Sequence, residues 1–283
     1  MGVETLMPRE VRFTVLGPVR GWRGKAELEL GPPQQRALLA MLLLARGRQV
    51  SLQGLINGLW GEQVPSAATS TVRTYASRLR RSLDPGADRR RDQLIQSAGD
   101  GYLVRSEVLL LDLSTFERRL HGARAARDRH DTAASARLLR EALGLWQGAA
   151  LAGVPGPYAD SQRLLLTELR LAAAEEKLAM EISLGEHVQA TAELRALMAE
   201  HPFRERLVEL LMLAFYRAGR QAEALLAYEA TRRRLAEELG IDPGPALRAM
   251  HQRLLQADRH LMDASGLRLT RLGNGADVFG AAC

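Results

Sequence analysis

Hydrophobic residues in the first hundred positions change their spacing in a definite order. Two short runs alternate with a period of two, at residues 11–16 and 27–30, with turn-forming residues between them at Gly17, Pro18 and Gly21. Three segments with helical spacing follow, beginning at Pro33, at Ser51 and after Ser66. A hairpin pattern closes the region, with runs at residues 94–96 and 102–104 around a Gly-Asp-Gly turn. This order predicts an α+β winged helix-turn-helix, which we place at residues 1–106.

The third helical segment, from about residue 67 to residue 83, has two contrasting faces. Its apolar residues recur every three or four positions and share one face, at Val72, Ala76, Leu79 and Leu83. The opposite face carries short polar and cationic side chains, at Ser70, Thr74, Ser77, Arg78 and Arg81. The segment has four arginines and no acid, whereas an ordinary solvated surface mixes both signs. Because small side chains allow close approach and arginines reach bases or phosphates, we predict a major-groove recognition helix. An ordinary solvated face is the alternative.

The hairpin after this helix is a candidate wing. Its second strand begins with Gly101 and Tyr102. Basic residues flank the hairpin, at residues 89–91 before the first strand and at Arg105 after the second. A wing of this kind reaches the minor groove or the DNA backbone. The alternative is a basic loop that attracts phosphates without specificity.

The charge of the chain is divided unevenly. Residues 1–106 contain 16 Lys and Arg against 9 Asp and Glu, whereas residues 107–283 contain 23 against 24. The whole basic excess therefore lies in the predicted winged helix, as expected for a domain that binds a polyanion and is joined to a neutral one. Chance scatter of a small excess is the alternative.

From Ser114 onward the hydrophobic spacing is helical throughout. Ser114 and Glu117 fit a capping box, and further helix starts are predicted at Asp131, Pro202 and Pro243. Two glycines lie 34 residues apart, the period of tetratricopeptide repeats, and matching residues follow each of them: Gly185, Ala190 and Leu194, then Gly219, Ala224 and Tyr228. We predict an all-α tetratricopeptide-like helical repeat domain at residues 107–257, with a plain helical bundle as the alternative. Such a stack suits binding better than catalysis.

Residues 258–283 follow the last predicted helix. Hydrophobic residues alternate at 267–272, which would suit an edge strand or a partner contact. A disordered C-terminal tail is the favoured interpretation, because chain ends are ordered only where something holds them.

Catalytic and metal-binding patterns do not occur in the sequence. The six histidines are scattered without an HExxH spacing, and neither a GxxxxGK[ST] loop nor a GxSxG elbow is present. The single cysteine, Cys283, allows no intrachain disulfide and no zinc site built on cysteine pairs. No apolar run approaches the roughly 20 residues of a membrane helix, and the first residues do not resemble a signal peptide. We therefore expect a cytoplasmic protein that is not an enzyme and needs no cofactor, metal or membrane.

Short motifs along residues 10–257 resemble those of the Streptomyces antibiotic regulatory protein family in its short form. In the first domain they are GPPQQRALL at 31–39, LIxxLWG at 55–61, TYxSRLRRxL at 74–83 and GY at 101–102. In the second domain they are FE at 116–117, LLREALxLWxG at 138–148, LRL at 169–171, HPxRER at 201–206, YRxGRQxxAL at 216–225 and EELGIDPGPAL at 237–247. The last motif is the most specific of these.

The resemblance implies a winged helix of the response-regulator type followed by a bacterial transcriptional activation domain. It implies an activator of a secondary-metabolite, or antibiotic, biosynthetic gene cluster, associated with the nucleoid. Such an activator binds direct repeats in double-stranded DNA near the −35 region, as a side-by-side dimer, and recruits RNA polymerase including its sigma factor.

The resemblance also assigns roles to residues of the winged helix. The base-reading residues are Arg73, Thr74, Ser77 and Arg78, and the phosphate contacts are Ser70, Arg80, Arg81 and Arg36. The wing residues are Gly101, Tyr102 and Arg105. Gln34 departs from the family, which usually has a basic residue there, so a backbone contact is expected to be missing. The alternative function is a helical-repeat adaptor whose winged helix contacts protein rather than DNA.

Overall fold

The computed structural model describes residues 11–85, 93–105 and 109–262. The predicted basic loop at 89–91 and the alternating run at 267–272 lie outside these ranges. The described chain forms two compact units that alternate along the sequence. One contains the described residues up to Arg118 together with Ala142–Arg170, and the other contains Arg119–Glu141 and the described residues from Leu171 onward.

Seven strands and ten α-helices are assigned within the described ranges. The strands are β1 Val11–Thr14, β2 Arg20–Arg23, β3 Ala26–Glu27, β4 Val50–Ser51, β5 Ile95–Ala98, β6 Gly101–Val104 and β7 Leu109–Leu111. The helices are α1 Pro33–Leu44, α2 Leu52–Trp60, α3 Ala68–Leu83, α4 Asp112–Asp128, α5 Thr132–Leu143, α6 Pro157–Ser183, α7 His187–Glu200, α8 Glu205–Arg217, α9 Gln221–Leu239 and α10 Pro245–Leu255. A 3-10 turn follows at Arg259–Leu261.

Two small sheets accompany helices α1, α2 and α3 in the first unit. The first has the order β3-β2-β1-β7, in which β1 pairs antiparallel with β2 and parallel with β7. The second has the order β4-β6-β5, and β5 and β6 form the predicted hairpin, with Gln96 opposite Leu103. Helix α1 is buried along most of its length and provides the centre of the core. These elements form the predicted winged helix.

Strand β2 lies where the sequence predicted only a turn region. Gly21 occupies the middle of this strand because the ring of Phe13 packs against it: a Cβ on Gly21 would lie 2.6 Å from Phe13 Cε1. Gly21 therefore permits a close cross-strand approach and is not a turn residue. The predicted strand at 27–30 shortens to β3, which pairs only through residues 26 and 27.

Helix α4 begins at Asp112, so the predicted capping box at Ser114 and Glu117 is wrong. The Asp112 carboxylate accepts hydrogen bonds from the N–H groups of Val15, Leu16 and Leu113, at 2.7 to 3.0 Å. It thereby joins the start of α4 to the chain after β1, a long-range contact that local spacing does not reveal. Glu117 forms an ion pair with Arg46, 2.5 Å away, and takes no part in a cap.

Residues 142–170 return to the first unit after α5. The N–H groups of Gln147 and Leu151 donate to the carbonyls of Leu16 and Val15, at 2.8 and 2.9 Å. Trp146 packs edge-on against Phe116, with ring centroids 5.5 Å apart. The winged helix is therefore completed by residues more than a hundred positions away in sequence.

From α7 to α10, each helix of the second unit packs against the next one, as the repeat predicted. Gly185 and Gly219 both adopt positive φ, 88° and 74°, at the turns that follow α6 and α8. Ala190 and Ala224, which occupy the matching positions in the next helices, are fully buried. The matching spacing therefore corresponds to matching packing, and the fold is a winged helix followed by an all-α helical repeat.

Two predicted helix starts in this unit are wrong by a few residues. Pro202 lies in a turn, and α8 begins only at Glu205, because Arg204 has a non-helical ψ of 87°. Pro243 precedes α10, whose first residue is Pro245. A residue before proline is driven to an extended conformation, so Gly244, with ψ 163°, cannot continue a helix from Pro243.

Candidate nucleic-acid interface

Helix α3 is anchored by its predicted apolar face. The four residues of this face are fully buried and pack against the rest of the winged helix: Val72, Ala76, Leu79 and Leu83. At roughly 25 cal/mol per Å² of apolar surface, four such side chains hold the helix by several kcal/mol, so its orientation is fixed by the core. The polar face is thus held outward.

The predicted base-reading residues lie together on this outward face. Arg73, Thr74, Ser77 and Arg78 are all exposed, as are the predicted phosphate contacts Ser70 and Arg81. Arg73, Ser77, Arg78 and Arg81 have no hydrogen bond or ion pair within the described part of the chain. Their donors are therefore available to a ligand.

Two hydroxyl groups on this face are partly committed to the helix itself. Ser70 Oγ donates to the carbonyl of Ala67 at 2.8 Å, and Thr74 Oγ1 donates to the carbonyl of Ser70 at 2.9 Å. Their oxygens keep lone pairs that accept hydrogen bonds, while the donated protons hold each side chain close to the backbone. The side chains around the arginines of this face therefore stay close to the helix backbone.

Arg80 is placed differently from the other arginines of α3. Its Nε donates to the carbonyl of Ile95 at 2.9 Å, its Nη2 donates to Ser97 Oγ at 2.8 Å, and its guanidinium lies 5.3 Å from the ring centre of Tyr102. Arg80 thus ties α3 to both strands of the wing.

A second connection between α3 and the wing was not predicted. Asp84, which caps the end of α3, accepts a hydrogen bond from Arg23 Nη2 at 2.9 Å and another from the Leu94 N–H at 2.7 Å. Arg23 also donates to the carbonyl of Leu83. The Asp-Pro pair at 84–85 indicated only a helix stop, because its partners lie in β2 and before β5.

The wing residues Gly101 and Tyr102 are buried. A Cβ on Gly101 would collide with the carbonyl oxygen of Val50 in the neighbouring strand β4, so glycine is required for the strands to pair. Tyr102 is only 9% exposed. Arg105 is half-buried, and its N–H donates to the carbonyl of Leu94 at 2.9 Å.

Gln34 and Arg36 lie at the start of α1, beside α3. Gln34 Oε1 accepts a hydrogen bond from the Tyr75 hydroxyl at 2.9 Å, so this residue joins α1 to α3. Arg36 is half-buried, and its Nε has no hydrogen-bond partner among the described residues. The unusual glutamine therefore has a structural role in this chain.

The described residues contain no group of three or more His, Cys, Asp or Glu side chains that could hold a metal ion. None of the helices in the described ranges is long and apolar enough to cross a membrane.

Two family models match the chain in the order of its domains. Residues 25–104 match "Transcriptional regulatory protein, C terminal", and residues 111–255 match "Bacterial transcriptional activator domain". The second match alone covers half of the chain. The chain belongs to the Streptomyces antibiotic regulatory protein family. Members of this family are transcriptional regulators, which are not enzymes.

Family members from two genera align along most of the chain. The regulatory protein AfsR of Streptomyces griseus is 52% identical over 251 residues, 89% of this chain but only 25% of AfsR. The chain thus spans about a quarter of AfsR. The transcriptional regulator RedD of Streptomyces coelicolor is 35% identical over 91% of this chain and 74% of RedD. MoaR1 of Mycobacterium tuberculosis, a transcriptional regulatory protein, is 35% identical over 95% of this chain and 88% of MoaR1.

A solved structure from the family has the same fold. EmbR of Mycobacterium tuberculosis, in complex with a low-affinity phosphopeptide, superposes with a TM-score of 0.81 and 32% identity. The superposition covers 96% of this chain and 69% of the EmbR chain. The family fold is therefore present along nearly the whole chain.

Proposed function

We propose that this protein is a sequence-specific DNA-binding activator of a secondary-metabolite biosynthetic gene cluster. The observation that carries the proposal is the outward face of α3, where three exposed arginines lie among short hydroxyl side chains and have no partner among the residues that the structure describes. No acid interrupts α3, so a polyanion meets only attraction there. The relatives RedD and AfsR, both regulators from Streptomyces, support the class of target genes.

Base reading is assigned to the middle of the exposed face. Arg73, Thr74, Ser77 and Arg78 lie within two turns of α3, a length that fits in a major groove. Arginine donates two hydrogen bonds to guanine, and this pairing gives about 1–3 kcal/mol of discrimination against a wrong base. Arg73 and Arg78 are therefore the residues proposed to select the operator sequence.

Phosphate contacts are assigned to the edges of the face. Ser70 and Arg81 flank the central residues, and Arg36 lies at the start of α1. Arg80 was predicted to contact phosphate, but its bonds to β5 favour a positioning role, in which it holds the wing at a fixed distance from α3. Arg105 would bring the wing to the backbone or the minor groove.

Membership of the family supports the proposed partners. The proposed operators are direct repeats in double-stranded DNA near the −35 region, occupied by two copies side by side. The helical repeat would then recruit RNA polymerase and its sigma factor, because stacked helices present a broad binding surface. Such a protein acts on the nucleoid in the cytoplasm.

The test is to sequence genomic DNA fragments retained by the purified protein at near-physiological salt. We expect a few promoters that share a direct repeat to be enriched. Arg78→Ala should weaken this enrichment and relax one base position. Arg233→Ala removes the same charge from an exposed position on α9 and should leave the enrichment unchanged. Uniform retention that vanishes with salt would refute specific binding and favour the adaptor function.

A further inference from the structure

A cavity of about 320 Å³ lies in the first unit, beside helices α1 and α2, which pack against α3. Its walls come from α1, β4, α2 and α6, and they are mostly apolar: Met41, Leu44, Ala45, Val50, Gly54, Gly58 and Tyr158. Arg48, Asn57 and Gln162 add polar groups. A cavity of this size, apolar with a few polar groups, is typical of small-molecule sites.

Two glycines of α2 line this cavity, for different reasons. A Cβ on Gly58 would lie 2.2 Å from the methyl carbon of Met41, so a larger residue there would have to displace the end of that side chain. A Cβ on Gly54 would meet only Ser51 Oγ at 3.2 Å and Val50 Cγ1 at 3.6 Å. Gly54 lies in the first turn of α2, next to the capping residue Ser51. Because position 54 has no side chain, this part of the cavity wall stays open.

Gln162 provides a second and independent observation. This residue lines the cavity, is only 7% exposed, and has an Oε1 atom with no hydrogen-bond partner among the described residues. Buried acceptors in folded proteins are nearly always paired, with protein, water or a ligand. The unpaired oxygen therefore favours an occupant that donates a hydrogen bond.

Arg48 indicates the charge of the occupant. Its exposed side chain also lines the cavity, which places a cation beside the apolar walls. An occupant that matches all three features has an apolar body, one N–H or O–H donor and an anionic group.

We propose that this cavity binds a small aromatic acid that carries a hydrogen-bond donor. Its rings would fill the space beside Ala45 and Gly54, its donor would pair with Gln162, and its acid group would face Arg48. Because α1 and α2 form two of the walls and pack directly against α3, an occupant would stabilise the DNA-binding unit. The protein would then respond to a small molecule through its own winged-helix unit.

The probe for this site is 8-anilino-1-naphthalenesulfonate, which combines aromatic rings, an N–H donor and a sulfonate. We expect saturable binding at one site per chain, followed by its fluorescence in the absence of DNA. Ala45→Leu and Gly54→Leu each fill part of the cavity from a different wall and should weaken binding at least tenfold. Ala222→Leu makes the same substitution as Ala45→Leu at an exposed position on α9 and should leave binding unchanged.

The role of Gln162 is tested separately with Gln162→Met, which keeps the side-chain length and removes the acceptor. Its affinity for the probe should fall roughly threefold to tenfold, as expected for one neutral hydrogen bond. The affinity for 1-naphthalenesulfonate, which has no N–H group and is measured by displacement of the probe, should be the same in Gln162→Met and in the unmodified protein. Circular dichroism confirms that each variant is folded.

The absence of saturable binding to the unmodified protein would overturn the proposal. Equal probe affinity in both folded cavity-filling variants would overturn it as well, because the probe would then bind elsewhere. Neither result depends on DNA, so the proposed function and this site can fail independently.

Discussion

Asp84→Ala tests how the winged helix holds its recognition helix. The Asp84 carboxylate accepts from Arg23 Nη2 and from the Leu94 N–H, so it joins the end of α3 to β2 and to the residue before β5. The pair is largely shielded, since the Arg23 and Asp84 side chains are 21% and 12% exposed. Alanine would leave both donors without this acceptor.

The expected cost is worked from these two bonds. A hydrogen bond to a charged group contributes about 1.5–3 kcal/mol, and partial exposure of the ion pair reduces its share. We expect Asp84→Ala to lower the free energy of unfolding by about 3 kcal/mol. Asp84→Asn, which keeps an acceptor for the Leu94 N–H and loses the ion pair, should cost about 1 kcal/mol.

Urea unfolding followed by tryptophan fluorescence measures this loss. All three tryptophans, Trp22, Trp60 and Trp146, belong to the first unit, so the signal reports on that unit. With a slope of about 2 kcal/mol per molar urea, a loss of 3 kcal/mol lowers the midpoint by about 1.5 M.

DNA affinity provides a sharper test, because two arguments predict opposite signs. By charge alone, removal of an acid would strengthen binding to phosphates. By structure, Asp84→Ala releases the wing from α3 and should weaken binding. The positioning role of Asp84 would be refuted if the free energy of unfolding of Asp84→Ala lay within about 0.5 kcal/mol of that of the parent protein, or if the variant bound DNA more tightly.

Three further changes test other parts of the structure. Arg81→Ala should weaken all DNA sites alike and reduce the slope of log K against log salt by about 1, and an unchanged slope would mean that Arg81 contacts no phosphate. Gly101→Ala should destabilise the first unit by about 2–3 kcal/mol in the same urea assay, since its Cβ collides with a strand carbonyl, and an unchanged midpoint would contradict this. Burial raises the pKa of Glu176, and Arg127 only partly opposes this. The folded protein therefore binds this proton before the unfolded chain does, and the contribution of Glu176 to stability should grow as pH falls from 7 toward 4.5. Glu176→Gln should remove that gain, measured by calorimetry at pH 7 and pH 5, and an identical pH dependence in both proteins would contradict the raised pKa.

Local spacing was sufficient for most elements of the winged helix. Ser51 caps α2 through a 3.0 Å bond from the Gly54 N–H, as its position predicted, and α3 ends at Leu83 as predicted. The same spacing separated the faces of α3 correctly, because an α-helix has about 3.6 residues per turn whatever surrounds it. The exposed face of the candidate site could therefore be listed by residue before the fold was known.

Tertiary structure decided everything that depends on distant partners. Asp112, not Ser114, begins α4 because the backbone after β1 donates to its carboxylate. Arg80 and Asp84 hold the wing because β5 returns beside the end of α3. The cavity exists because α6 comes back to the winged helix and brings Gln162 with it. Sequence spacing encodes which side of a helix is buried, whereas only the folded chain decides which buried surfaces meet and which polar atoms find partners.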